Sequence, residues 1–551
     1  MILEVLSIII LFISIGGWGI WAQYLLASKK QSPSLTFLLG LTFLSIVLCI
    51  ISFFYPLNRK IEILLFAISI IPYFIKNLKY YRIKFPLEII KSGWFWLFSL
   101  LILLVGSYYP FRPDHFGYYI PSLNWLNQYG LILGVANIDW VLGQMSSLHI
   151  IQAGFDDTID PFQRINLLIT ILFIFYIFER KVYFLLLFIP FYFLFIQTPS
   201  PDIPVIFFSL IIVNEECFNY KKENFKVIFI LSVFIFTIKP FGFWLPLWIF
   251  LMGIHQNKKE LLNYKNYIFP LILILTFVIK NIVTSSTIIF PVTQTQITTY
   301  WLTDPRILKI SNQYANYYTF NGHFPIEKIN SFSFFKKLYY WLSIRELQTI
   351  INIFICITLF IFGIFAFIKK KFIYISLWSI IFLKLYLILL FSGQYRFILD
   401  GIYPLIFILF HYTKINQSKI LAPALTLNIL FFTIISYPVL IQKLIPEYKL
   451  ANTMVGFTKG NLLKPKNYIL NDYKKLKLGN LILYITNNNS MYNFDTPAPA
   501  FEKEKLILYK NLNIFPQMKD STDIHKGFYM KKLTKQENNK LTKIIESFKN
   551  N

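Results

Sequence analysis

The chain has 551 residues, 56% of them hydrophobic and only 15% charged, with a formal net charge of +26. Soluble domains carry roughly 25% charged residues and split once a core exceeds roughly 250–300 residues. A soluble enzyme, a disordered chain and a coiled coil are therefore excluded, and a polytopic membrane protein remains. The positive balance does not point to nucleic acid, because Lys and Arg collect in the cytoplasmic loops of membrane proteins.

Only helices or closed barrels satisfy their backbone groups in lipid, and the continuous apolar runs here lack period-2 alternation, so they predict helices. Taken in chain order, spans fall near 1–26, 34–55, 61–76, 93–108, 165–179, 182–197, 203–214, 227–238, 242–254, 267–283, 347–368, 372–391, 397–411 and 420–441, about fourteen in all. The opening run has no basic n-region and no small-residue cleavage site, which predicts a retained first span. Short runs around Arg180 and Pro240 predict broken or tilted helices. Cys49, Cys217 and Cys356 are too scattered for a disulfide framework or a CxxC metal site.

Alternation of these spans places Lys29-Lys30, the run Lys76 to Lys91, Arg180-Lys181, Lys221-Lys222, Lys258-Lys259, Lys369 to Lys371 and Lys414/Lys419 on one side. They hold about 20 basic residues, against about four in the short loops opposite, so this side is cytoplasmic. Three long segments then face outward: 109–164, 284–346 and the tail 442–551. The heavy use of Ile, Lys, Asn, Phe and Tyr suits an AT-rich bacterial genome, and so a bacterial plasma (inner) membrane with its working face extracytoplasmic.

In the first outer segment, Tyr119, Ile120, Leu123 and Leu126 share one helical face and Gly130 supplies a C-terminal stop, which predicts an amphipathic helix lying on the membrane surface. A second apolar helix is expected near 144–155. Further on, Asp202 in Thr198-Pro-Ser-Pro-Asp202-Ile-Pro204 sets a carboxylate at the membrane boundary, and Lys239, Lys280 (followed by Asn281) and Arg396 set cations at the same outer helix ends. A lone charge within a span is costly and tends to face a cavity or a partner. A carboxylate beside water suits a general base for a hydroxyl, and the cations suit a lipid-anchored phosphate.

The segment Asp114-His-Phe-Gly-Tyr-Tyr-Ile-Pro-Ser-Leu-Asn-Trp, with its Gly-Val-Ala-Asn-Ile-Asp continuation, resembles the first large outer loop of GT-C-type integral membrane glycosyltransferases, in a bacterial branch. Later echoes at Ser200-Pro-Asp202, Thr237-Ile-Lys239, Lys280-Asn281 and Arg396-Phe397 extend the resemblance over residues 93–400. It implies a polyprenyl-phosphate sugar donor, a glycan, lipid or protein acceptor, and Asp114 as base or as ligand to a divalent metal, whose need is left open. Asp202 becomes the second acidic site and Lys239 and Arg396 the phosphate contacts, with His115, Tyr118, Asp139, Lys280 and Asn281 as further candidates. The chain departs from the common form of that family in having no adjacent acidic pair after the first span and about three spans before the loop.

Structural readings stand beside these. Asp114 and Asp202 also suit helix capping, the latter with Pro204 in the first turn. Asp139, Asp156, Asp157 and Asp160 read as solvated loop charges, and Lys239 as a snorkelling side chain. The histidines show no HxH or HExxH spacing. The expected fold is an all-α polytopic membrane domain over 1–441, followed by a small α+β appendage over 442–551. A lipid-linked oligosaccharide flippase is the rival from another class. It calls for charges midway along helices, which the sequence is not expected to show. An O-antigen polymerase or ligase is the enzymatic rival.

Overall fold

The computed structural model describes residues 1–110, 112–344, 347–413, 415–437, 442–444, 459–464, 473–486, 492–493 and 496–547. Lys414, the end of the 420–441 run beyond 437, Asn487 to Asn489 and residues 548–551 lie outside them. Six helical stretches among the described residues are long and apolar enough to cross a membrane: Ile2–Leu25, Pro33–Ser52, Ile268–Ser285, Leu347–Lys369, Phe372–Phe391 and Gln417–Ser436. The architecture is mostly helical and consistent with a multi-pass membrane protein.

Shorter helices occupy most other expected spans: Gly93–Gly106, Ile165–Arg180, Asp202–Phe218, Phe225–Ile238, Trp244–Gln256 and Leu399–His411. A helix of 16 residues, such as Ile165–Arg180, reaches about 24 Å at ~1.5 Å per residue, short of a ~30 Å hydrocarbon core. Every residue from Ile165 to Phe178 and from Asp202 to Glu216 is buried. Helices apolar on all sides in this way are packed inside a bundle. By contrast Ile350, Phe360 and Ile368 on Leu347–Lys369 stand exposed. The run Tyr183–Phe195 winds as a 3₁₀ helix around Pro190, whose steeper rise of about 2.0 Å per residue lets few residues cover more depth.

The loops at the two ends of the bundle are tied among themselves. At one end Lys29 pairs with Glu223, Lys181 with Glu88 and Arg180 with Glu215, and Lys226 donates to the Leu26 carbonyl. This end gathers the basic loops. At the other end Leu131 donates to Ser52, Leu57 to Leu126 and Gly134 to Val283, and here the segment 109–164 folds down.

That segment departs from the expected surface helix. Helix Ile120–Gln128 forms and stops at Gly130, which has φ +76°, but Ile120, Ser122, Leu123, Trp125 and Leu126 are buried under protein. Its apolar face is covered by helix Ser147–Ala153 and by the tail, where Phe528 meets Trp125 edge-on at 5.8 Å. Asp156 and Asp160 are likewise not solvated. Asp156 accepts from Asn127 and Gln163, and Asp160 from the Gln152 side chain and the Arg164 N–H. Asp157 alone of that group is exposed. Arg164, fully buried, then gathers the carbonyls of Gly106, Phe162 and Gln197 and knots the loop to the bundle.

Burial pushes the Asp160 carboxyl up to about 7, against ~3.9 in an unfolded chain. A raised acid favours the folded state fully below the unfolded value, and that contribution is lost as pH rises through the folded one. Protection factors over 147–164, exchange relative to the intrinsic rate at each pH, should therefore fall between about pH 4 and pH 7, and Asp160→Asn should flatten that dependence. A wild-type profile flat over this range would contradict it.

The tail forms two antiparallel pairs, Tyr473–Leu478 with Leu481–Thr486 and Ile514–Asp520 with Asp523–Lys532, and helices Lys503–Leu512 and Lys535–Ser547. The apolar stretch Leu506 to Tyr509 lies within the first of these helices. The tail sits on the first outer segment: Tyr509 Oη donates to the Asn137 and Ile138 carbonyls at 2.9 Å, and the Phe528 N–H to Leu133. Gly134 permits this approach, since a Cβ there would lie 2.4 Å from the Phe528 oxygen.

Candidate functional site

Four chain breaks deliver four charges to one place. The extended backbone of Lys239 (φ −151°, ψ 113°) follows from Pro240, which disfavours helix in the residue before it, so helix Phe225–Ile238 ends there. Asp202 occupies the first turn of its helix, where a carboxylate is favoured by the N-terminal dipole. Arg396 lies in the 3₁₀ turn Tyr395–Phe397 that joins two apolar helices, and Asp114 immediately precedes the π-helical turn His115–Tyr119.

Lys239 forms an ion pair with Asp202, and Arg396 Nη1 meets Asp114 Oδ2 at 3.1 Å. Asp114 also has Arg112 at 3.9 Å, while the Arg112 guanidinium lies over the Phe195 ring at 4.5 Å. Burial disfavours the charge on Arg396, but Asp114 and then Asp202 outweigh it and hold its pKa above the ordinary value. The Phe397 ring joins the two pairs. Lys239 Nζ stands 4.4 Å and the Arg396 guanidinium 5.1 Å from its centroid, and Phe241 stacks on it at 4.3 Å. Asp202, Lys239, Phe241, Arg396, Phe397 and Asp400 line one small recess.

Neither carboxylate is a simple cap: no side-chain cap bond runs from Asp114 to the turn it precedes, and Asp202 lies inside its helix. Lys239 does not snorkel away; its side chain is 16% exposed. Lys280, by contrast, lies apart from the cluster: buried, it donates to the Met145 carbonyl. Asn281 donates to the Ile288 carbonyl at 2.8 Å. Asp139 is neither solvated nor near the cations of the cluster; it pairs with Lys505 of the tail at 2.7 Å and caps Val141. His115 is buried edge-on against Phe116, and burial with the nearby Arg164 charge holds it well below its ordinary value, so it stays neutral. Tyr118 donates to the Gln144 carbonyl and packs on His149.

Sequence reasoning missed a second layer. Asp400 pairs with Lys384 and accepts from Trp244 Nε1 at 2.8 Å, all three buried. Lys384 stands in the middle of Phe372–Phe391, which corrects the expectation that no charge lies midway along a helix. A lysine inside an otherwise apolar run was the available signal. Tyr119 and Ser200 were also missed: Tyr119 Oη donates to Ser200 Oγ at 3.3 Å, and Ser200 reaches Asp202 at 3.5 Å.

Counted together, the cations Arg112, Lys239, Lys384 and Arg396 exceed the carboxylates Asp114, Asp202 and Asp400 by one. Among the described residues no three or more His, Cys, Asp or Glu side chains group as a metal-binding set. Asp114 and Asp202 instead have protein cations as partners, so a metal finds no ready donor set among them.

No curated protein matches this chain, and no solved structure does. A family model does match, over residues 1–403, a stretch that takes in all the charged residues just described and stops before the appendage. The chain therefore belongs to the family described as domain of unknown function DUF8201.

Proposed function

We propose that this protein is a membrane glycosyltransferase of GT-C type that moves a sugar from a polyprenyl-phosphate donor to an extracytoplasmic glycan, lipid or protein acceptor. The observation that carries the reading is the Asp202–Lys239 pair lining one recess together with Arg396, which holds Asp114 at 3.1 Å just outside that lining. The short buried helices complete about fourteen crossings where the bilayer thins around the bundle, in a bacterial plasma membrane with the recess on the outer face. The gathering of basic loops at the far end supports that orientation.

In the reaction, the acceptor oxygen attacks the anomeric carbon and the bond from that carbon to the phosphate oxygen breaks. The bonding electrons leave with the lipid phosphate, and the acceptor proton passes to Asp114 Oδ. Lys239 and Arg396 hold the phosphate where negative charge grows, which is where fixed cations accelerate most. Asp202 orients the Lys239 ammonium, and Arg396 is shared between Asp114 and the arriving phosphate.

Binding of undecaprenyl phosphate to the purified chain in nanodiscs tests the donor side. Arg396→Ala is expected to weaken it by roughly tenfold or more, the loss of a charge-assisted contact. Equal affinity in the two proteins would count against the phosphate site. A flippase remains the second reading, favoured by the Lys384–Asp400 pair within the helices. Transfer of labelled sugar from donor to acceptor, absent in a flippase, separates the two.

A further inference from the structure

Away from the charged cluster, segment 284–346 holds a helix with an uncovered aromatic face. Ser333 caps helix Phe334–Ser343, its hydroxyl oxygen accepting the Lys336 N–H at 3.3 Å. One turn apart, Phe335 and Tyr339 stand 78% and 65% exposed. Two positions on, Trp341 turns inward and is 2% exposed. The helix carries no Asp or Glu. Its Lys336 and Lys337 pair with no carboxylate among the described residues, and the Lys336 ammonium lies over the Phe332 ring at 5.1 Å.

Two contacts set the depth of this helix. Phe334 packs on Tyr386 of Phe372–Phe391 with ring centroids 5.1 Å apart, and the Trp341 carbonyl accepts from Asn352 of Leu347–Lys369 at 2.8 Å. Each partner lies a little over one turn inside the end of its apolar helix, about 8 Å along the axis at ~1.5 Å per residue. Amphipathic helices bury their apolar face ~5–10 Å into the boundary between headgroups and acyl chains. The exposed sides of the two long helices, with Ile350, Phe354, Phe382 and Phe391, continue the apolar surface from there. Aromatic rings favour that layer, and a lysine pair draws anionic headgroups to it.

The same helix holds the turn that carries Arg396. Trp341 Nε1 donates to the Gly393 carbonyl at 2.6 Å, and the Gly393 N–H donates to Thr319 Oγ1 at 2.9 Å. Gln394 then donates to Ser392 Oγ at 2.9 Å and accepts from Arg396 Nε at 3.0 Å. These bonds pass the seat of the helix on to the guanidinium.

We propose that helix Phe334–Ser343 is an interfacial anchor for anionic phospholipid, with Phe335 and Tyr339 set among the headgroups, and that it holds the Arg396 turn at that depth. The proposal rests on Leu347–Lys369 and Phe372–Phe391 crossing the bilayer, and not on sugar transfer.

Photochemistry on the full chain tests it, with Phe335→p-benzoylphenylalanine in nanodiscs of equal parts phosphatidylcholine and phosphatidylglycerol. Illumination is expected to give lipid adducts, with phosphatidylglycerol exceeding phosphatidylcholine roughly fivefold. Adding Lys336→Gln and Lys337→Gln should keep the adducts, which certifies the fold, but in equal amounts of the two lipids. Hydrogen-exchange protection over 392–398 should be greater in the mixed nanodiscs than in pure phosphatidylcholine for the wild type, and the same in both for the double glutamine variant. No lipid adduct at 335, adducts to a second copy of the chain, or equal labelling of the two lipids with both lysines present overturns the anchor. Protection over 392–398 that ignores the lipid in the wild type overturns its hold on the Arg396 turn.

Discussion

Asp114→Asn is expected to lower sugar transfer by roughly 10²–10⁴-fold, the contribution of a positioned general base, with undecaprenyl phosphate binding kept. The substitution holds the side-chain shape, and the amide oxygen still accepts from Arg396 Nη1, now 3.1 Å from the carboxylate. What disappears is the place for the acceptor proton. No neighbour replaces it. Asp202 is engaged by Lys239, and His149, which burial and then the Lys280 charge lower to about 3, is buried against Tyr118 and Tyr119. Transfer at the wild-type rate, with protein at its normal amount, would leave Asp114 only a partner of Arg396.

The second large effect is on stability. Lys384→Ala leaves Asp400 buried with its ammonium partner gone, and breaking such a pair costs about 3–5 kcal/mol. The Trp244 bond to Asp400 at 2.8 Å does not neutralise the orphaned charge. Lys384→Met combined with Asp400→Leu removes both charges at similar volume and is expected to recover most of the loss, because the desolvation penalty vanishes with the charges. Denaturant-induced unfolding of the purified proteins in detergent measures both. If the double variant is as unstable as the single one, the pair is not the source of the effect. Transfer activity in the stable double variant then separates a supporting role for Asp400 from one in the hollow it lines.

Charges at the ends of apolar runs are rare enough to be read from sequence, and this explains why Asp114, Asp202, Lys239 and Arg396 were visible together. The breaks that aim them were legible too: Pro240 after Lys239, and Gly130 after its helix. Lys280 obeyed the same rule and yet is used differently, because a buried ammonium is equally well satisfied by a backbone carbonyl, here that of Met145. Lys384 and Asp400 went unread since hydropathy averages one lysine into a long apolar run. The covering of helix Ile120–Gln128 was hidden for another reason. An amphipathic pattern shows that a face is buried, not whether lipid or protein buries it, and the partner is Phe528, about 400 residues later in the chain. Asp139 was hidden by the same distance effect, its partner being Lys505, whereas Asp160 binds Gln152 and the Arg164 N–H close by in the chain, and only the folding-down of 109–164 buries it.

The central claim is that a lipid-linked phosphate occupies the hollow between Asp202, Lys239 and Arg396. Photo-crosslinking with a polyprenyl phosphate carrying a diazirine next to the phosphate, followed by peptide mapping, addresses it most directly. Adducts on 202–206, 239–241 and 396–400, lost in Lys239→Ala with Arg396→Ala, are the expected result. Labelling confined to the lipid-facing surface of Leu347–Lys369, unchanged by those substitutions, would contradict it.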